Sequence, residues 1–138
     1  TNITLNSMST IFSKIVSGEI PAYKVAENED FLAFLDINPL AKGHTLVIPK
    51  KEIDYIFDMD DTWYSEFQLF AKRVARAIKQ VIPCGKIGVA VIGLEVAHAH
   101  IHLVPVNSIY DIDFGKPKLR LTSEELVDIA SAISKHFV

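Results

Sequence analysis

The sequence predicts an α+β domain in which an antiparallel sheet of about five strands carries a long central helix and a C-terminal helix. Three observations carry this expectation. Short β-prone runs recur at residues 23–27, 31–36, 43–49, 86–93 and 98–104, bounded by turn-forming residues. Between the third and fourth runs the apolar period changes from two to three and four and stays so for ~20 residues. Near the end, the capping box Thr122-Ser123-Glu124-Glu125 introduces a second helical stripe.

With 138 residues the chain has the size of one domain, able to bury about two thirds of its unfolded surface. A net charge of −3, with 14 Lys plus Arg, supplies no basic field, so nucleic acid is not an expected partner. The single cysteine, Cys84, excludes an internal disulfide and a Cys-rich zinc module and fits a reducing compartment. No apolar run approaches the ~20 residues needed to span a bilayer, and no membrane partner is expected. Residues 1–7 lack the basic end and apolar stretch of a secretory signal. The expectation is a cytoplasmic protein with a disordered extension or cloning remnant over residues 1–7, ahead of Met8, and a single domain over residues 8–138.

Thr10 is positioned to cap a short helix through Ile11–Val16 that Gly18 stops, with Ile11, Phe12 and Ile15 on one apolar side. Tyr23–Glu27 and Phe31–Asp36 read as two strands joined by the tight connection Asn28-Glu29-Asp30. Asp36 closes the second run, and Pro39 follows in a position that disfavours a continuing central strand. Gly43–Pro49 reads as the third strand and contains His44; Lys50 and Lys51 follow it and are expected to be solvated.

The long helix begins at Asp60 or Asp61, with Asp61 as the expected N-cap. Trp63, Phe67, Phe70 or Ala71, Val74, Ile78 and Val81 form its apolar stripe, and Pro83-Cys84-Gly85 stops it. In the strand Lys86–Gly93, Gly88, Ala90 and Ile92 share one face, where small side chains leave room beside the next strand. Residues 107–117 read as loop, with one short segment, Ile109–Phe114, that no pattern places. Leu126, Ile129, Ala130 and Ile133 form the apolar side of the last helix, and His136 near its end reads as a surface residue.

Three of the five histidines fall at alternate positions in His98-Ala99-His100-Ile101-His102-Leu103-Val104-Pro105. On a strand, His98, His100 and His102 share one face while Ala99, Ile101 and Leu103 share the other. On a helix the same spacing would scatter the imidazoles. Three histidines on one strand face support two chemistries. One is metal binding, with His44 or Glu95 as a further ligand. The other is covalent catalysis by a neutral imidazole, for which the central His100 is best placed because it has an imidazole on either side.

The run His98–Val104 resembles the His-φ-His-φ-His-φ-φ pattern of the histidine triad superfamily, with φ apolar. Ile11-Phe12-Ser13-Lys14-Ile15, Glu19-Ile20-Pro21-Ala22, Phe31–Pro39 and Gly43–Lys50 are similar to that family's preceding blocks, in the same order. The overall pattern is most similar to the purine nucleoside phosphoramidase branch.

That resemblance implies a homodimer with a continuous sheet. It also implies a purine nucleotide substrate, no cofactor and no metal, and attack of His100 on the α-phosphorus of a nucleoside 5′-phosphoramidate. A nucleotidyl-His100 intermediate would be hydrolysed to a nucleoside monophosphate. His102 would contact the phosphate and assist protonation of the leaving group, while His98 and His44 orient the site. The implied nucleotide-binding residues are Asp36 for the ribose hydroxyls, Phe34, Ile37, Ile11, Phe12 and Ile15 around the base, and Gly93, Glu95 and Val96 near the phosphate. Leu94 and Glu95 stand where that branch usually carries Gln and Ser/Thr. A dinucleoside polyphosphate hydrolase and a nucleotide-binding regulator with little turnover are the alternatives at this stage.

Overall fold

The protein was analysed as a computed structural model, which describes residues 10–138. The expected extension at residues 1–7 and Met8 lie outside the described residues. Helix α1 (Ile11–Ser17) leads into strands β1 (Lys24–Glu27), β2 (Phe31–Leu35) and β3 (Thr45–Pro49). The long helix α2 (Asp61–Val81) follows, then β4 (Lys86–Ala90), β5 (Ile101–Val106) and α3 (Ser123–His136). The five strands form one antiparallel sheet in the order β1-β2-β3-β5-β4.

Local chemistry sets the helix ends. The Thr10 hydroxyl accepts from the Ser13 N–H at 3.0 Å, and Gly18 takes φ 86°, a left-handed value that costs glycine little. At α2 the N-cap is Asp60, whose carboxylate accepts from the Trp63 N–H at 2.9 Å. Asp61, the expected cap, instead occupies the first helical turn. The capping box at α3 forms as expected, with Thr122 and Glu125 bonded reciprocally.

The sheet separates two apolar layers. On one face Phe31, Ala33, Val47, Ile101 and Leu103 pack with Phe67, Val74 and Ile78 of α2 and with Leu126 and Ile133 of α3. On the other, Leu32, Phe34, Leu46 and Ile48 meet Phe12 and Ile15 of α1. Each large side chain fully buried here contributes about 1.5–3 kcal/mol relative to exposure. Among the described residues, no helix is long and apolar enough to cross a membrane.

Two strands are shorter than the alternation predicts. β4 stops at Ala90 rather than Gly93, and β5 starts at Ile101, so His98 and His100 precede it. The ladder between β3 and β5 ends at the pair Val47↔Ile101. Beyond it the Ala99 N–H donates to Ile53 O at 2.6 Å, and the carbonyl of Pro49 is taken by the His98 ring. One loop carbonyl and one imidazole thus replace ladder bonds where the strand was expected to continue. The space beside Gly88 is also not left open toward the triad: a Cβ there would meet Ile112 Cδ1 at 2.5 Å.

Candidate active site

The alternation of the histidine run survives its partial departure from strand pairing. Ala99, Ile101 and Leu103 face the α2 core, while His100 and His102 line a pocket on the α1 face. The pocket has a volume of about 390 Å³. Phe12 and Ile15 of α1 wall it, β2 supplies Phe34, Asp36 joins from the position just after β2, and Val96 and Glu95 close another side. Ile11 and Ile37 stand at its more exposed edge. His98 and His44 do not line the pocket but lie buried behind His100 and His102.

The hydrogen bonds assign a tautomer to each ring. His100 Nδ1 lies 2.8 Å from the His98 carbonyl, which can only accept, so Nδ1 carries the proton and Nε2 keeps its lone pair. His98 is reversed: Nε2 donates to Pro49 O at 2.8 Å, so Nδ1 accepts from the Thr10 hydroxyl at 3.0 Å. The Leu40 N–H donates to His44 Nδ1 at 3.0 Å, which places the His44 proton on Nε2. His44 Nε2–H then donates to His102 Nδ1 at 3.0 Å, leaving the His102 proton on its own Nε2. Two adjacent rings of opposite polarity result: a lone pair on His100 Nε2 and an N–H on His102 Nε2.

Burial keeps the supporting rings neutral. It lowers the pKa of His44 to about 3 and that of His102 to about 4, with a neighbouring imidazole adding to each shift. His98 is lowered too, mainly by burial, against the opposing pull of the Pro49 carbonyl and Glu52. Asp36 moves the other way. Burial raises its carboxyl pKa, while the Asn38 N–H, His100 and Lys118 work to lower it. Its Oδ1 accepts from Asn38 N–H at 2.8 Å, and Oδ2 lies 3.6 Å from His44 Nε2, beyond hydrogen-bond range.

Asp36, His44 and His102 bring one potential metal-ligand atom each within 4.8 Å of one another. The tautomer chain opposes a metal there. A metal at His44 Nε2 would need that proton moved to Nδ1, where it would face the Leu40 N–H.

A HIT domain family profile matches residues 17–109. The chain belongs to the HIT family. A HIT-like protein of Borreliella burgdorferi whose function is uncharacterised is 38% identical over 133 residues, covering 90% of this chain and 95% of that protein. An adenosine 5′-monophosphoramidase of Schizosaccharomyces pombe is 36% identical over 133 residues, covering 92% of this chain and 97% of its own length. The crystal structure of a HIT-like protein from Bartonella henselae superposes with a TM-score of 0.78 at 31% identity, over 93% of this chain and 96% of that one. The five-stranded antiparallel sheet with its long and C-terminal helices is therefore the HIT fold.

Gly93, Glu95 and Val96 divide between two cavities. Glu95 and Val96 line the pocket, whereas Gly93, at φ 71°, lines a separate cavity with Tyr55, Tyr64 and Ile92. Leu94 is 90% exposed and touches neither. Lys50 is engaged by Glu27 at 2.8 Å, away from the histidines, and His136 is exposed at the end of α3.

The sequence reading missed Phe114 and Lys118, which reach the pocket from beyond the segment the HIT profile matches. The Phe114 ring packs edge-on against His102 at 4.7 Å between centroids. Leu119 N–H donates to Pro39 O at 2.8 Å, fastening this strap over the loop between β2 and β3. No periodicity marks the strap, because it belongs to no helix or strand.

Proposed function

We propose that the protein is a nucleotide phosphoramidase or nucleotidyl hydrolase acting at the α-phosphorus of purine nucleoside 5′-phosphoramidates or related mixed phosphates. The observation that carries this reading is the opposite polarity of His100 and His102 on the floor of one pocket. His100 Nε2 attacks phosphorus, and the bond to the leaving nitrogen breaks as that nitrogen takes up a proton from solvent water. Water then adds to phosphorus, the bond to Nε2 breaks, and a proton from that water restores the balance. The products are a nucleoside monophosphate and the amine.

His102 remains neutral at pH 7, with its pKa at about 4, so it serves as a hydrogen-bond donor to the phosphoryl group and the departing nitrogen. Asp36 lines the pocket, and its carboxylate is the acceptor for ribose hydroxyls in this reading. Phe12, Ile15 and Phe34 offer an apolar slot for a purine, with Ile11 and Ile37 at its edge and Val96 and Glu95 on the phosphate side. The amidase name of the fission-yeast relative supports the same choice of substrate.

The reading includes a homodimer with a continuous sheet. β4 is an edge strand, and the apolar side chains Val89 and Ile92, on and just beyond it, are 60% and 53% exposed, as a surface awaiting a partner would be. Light scattering after gel filtration tests the dimer.

The activity is tested by following AMP release from adenosine 5′-phosphoramidate in buffer containing a chelator. Release that His100→Ala abolishes in a folded protein is the expected result. Cleavage of diadenosine polyphosphate without cleavage of the phosphoramidate would move the assignment to a polyphosphate hydrolase. Nucleotide binding without turnover of either would leave a binding protein.

A further inference from the structure

His98 shapes the site through its carbonyl, which holds the His100 Nδ1 proton at 2.8 Å. That carbonyl is only as fixed as the residue that bears it. The His98 ring is fully buried and bonded at both nitrogens, to Pro49 O on one side and to the Thr10 hydroxyl on the other. Thr10 is the N-cap and Ser13 lies on the first turn of α1, a seven-residue helix whose apolar side is buried through Phe12 and Ile15.

What holds that turn is Glu52, three residues after β3. Its Oε1 accepts the Thr10 N–H at 3.0 Å and the Ser13 hydroxyl at 2.8 Å. These contacts also settle hydroxyl directions. Ser13 spends its only hydroxyl proton on Glu52, so it is not the donor to His98 Nδ1, which lies 3.5 Å away. The Thr10 oxygen accepts from the Ser13 N–H, and its own proton goes to the unprotonated His98 Nδ1 at 3.0 Å in preference to Ser13 Oγ at 3.3 Å. The carboxylate is well suited to the position: the Thr10 N–H, and after it the Ser13 hydroxyl, hold its pKa below the ordinary glutamate value against the opposing effect of burial.

We propose that Glu52 is a positioning residue for the nucleophile, acting through Ser13 and Thr10 on His98 and through the His98 carbonyl on His100. It touches neither pocket nor substrate. The inference deepens the proposed histidine chemistry and rests on it for its kinetic consequence, but the hydrogen bond accepted by His98 Nδ1 is observable without any turnover.

The test compares Glu52→Ala and Glu52→Gln with the wild type by ¹⁵N spectroscopy of the histidine rings and by kinetics with adenosine 5′-phosphoramidate. In Glu52→Ala the Pro49 carbonyl still holds the His98 Nε2 proton, while the His98 Nδ1 resonance should move downfield, toward that of a ring nitrogen that accepts no hydrogen bond. Its kcat should fall about 10-fold, with AMP affinity changed less than about twofold, as expected when a nucleophile is misaligned by a fraction of an ångström. Glu52→Gln keeps the acceptor oxygen and should restore both the Nδ1 resonance and most of kcat. Unchanged His98 resonances in Glu52→Ala would overturn the proposal, whatever the activity. So would a shift in KM alone with the ring pattern intact, which would make Glu52 a fastener of the α1 wall only. If the wild type shows no turnover, the ring spectra still decide the role of Glu52, and only the proposed function fails.

Discussion

His44 Nε2 lies 3.0 Å from His102 Nδ1, and because the Leu40 N–H occupies the other His44 nitrogen, the proton between the two rings belongs to His44. A backbone amide on the loop after β2 thereby dictates which nitrogen of His102, on β5, presents a hydrogen to the pocket. The pair is buried, which keeps both rings neutral and the direction of the chain unambiguous.

Replacing His44 by Ala removes the donor to His102 Nδ1 and frees His102 to adopt either tautomer. Steady-state kinetics should show kcat for the phosphoramidate reduced by ~10²-fold, in the range found when one donor to the developing charge is removed. Nucleotide affinity should move little. An unchanged kcat would mean that the His102 N–H is not used.

Three buried rings, His44, His98 and His102, have folded-state pKa values below the ordinary histidine value. Above about pH 6.5 these rings are neutral folded or unfolded and add no pH dependence. As pH falls through that value the unfolded chain binds protons that the folded chain refuses, so stability is lost. For His102 the loss continues down to its folded value of about 4, and for His44 to about 3. The slope is at most about 1.4 kcal/mol per pH unit for each ring. Asp36, whose pKa is raised, opposes them with a single group. Urea midpoints should therefore fall from pH 7 to pH 5; a flat profile would contradict neutral burial.

Lys118 lowers the Asp36 pKa against the effect of burial. In Lys118→Met the carboxyl should take up a proton at higher pH than in the wild type and stop accepting both ribose hydroxyls. Calorimetry with AMP should show an affinity loss that is larger at pH 5 than at pH 7. An equal loss at both values would point to direct contact between Lys118 and the nucleotide instead.

The Leu40 N–H on His44 Nδ1 also predicts that zinc is not retained by Asp36, His44 and His102. Metal analysis after zinc incubation and dialysis should find less than one ion per chain. A stoichiometric ion that is lost in His44→Ala would contradict the tautomer assignment.

Much of this architecture was legible in local patterns. Thr10, Gly18 and the Thr122–Glu125 box announce helix ends because their bonds span only three or four residues. The alternation at residues 98–103 correctly separates imidazoles from core. Less legible were features decided by groups distant in sequence. β5 begins at Ile101 because Ile53 and Pro49 capture donors before it, and neither contact leaves a periodic trace. Phe114 and Lys118 enter the pocket from an irregular strap, and Glu52 acts across 39 residues on Ser13. Of the residues in the turn before the histidine run, Glu95 and Val96 line the histidine pocket and Gly93 lines the neighbouring cavity, a division that no local pattern marks.

The central claim is that His100 Nε2 forms a bond to phosphorus. Turnover of adenosine 5′-phosphoramidate should be quenched in alkali, where a phosphorus–histidine bond survives, and the digested protein analysed by mass spectrometry. The account predicts an adenylyl group on His100 that is absent from His100→Ala. Adenylyl found on His102, or steady AMP release from folded His100→Ala, would contradict it.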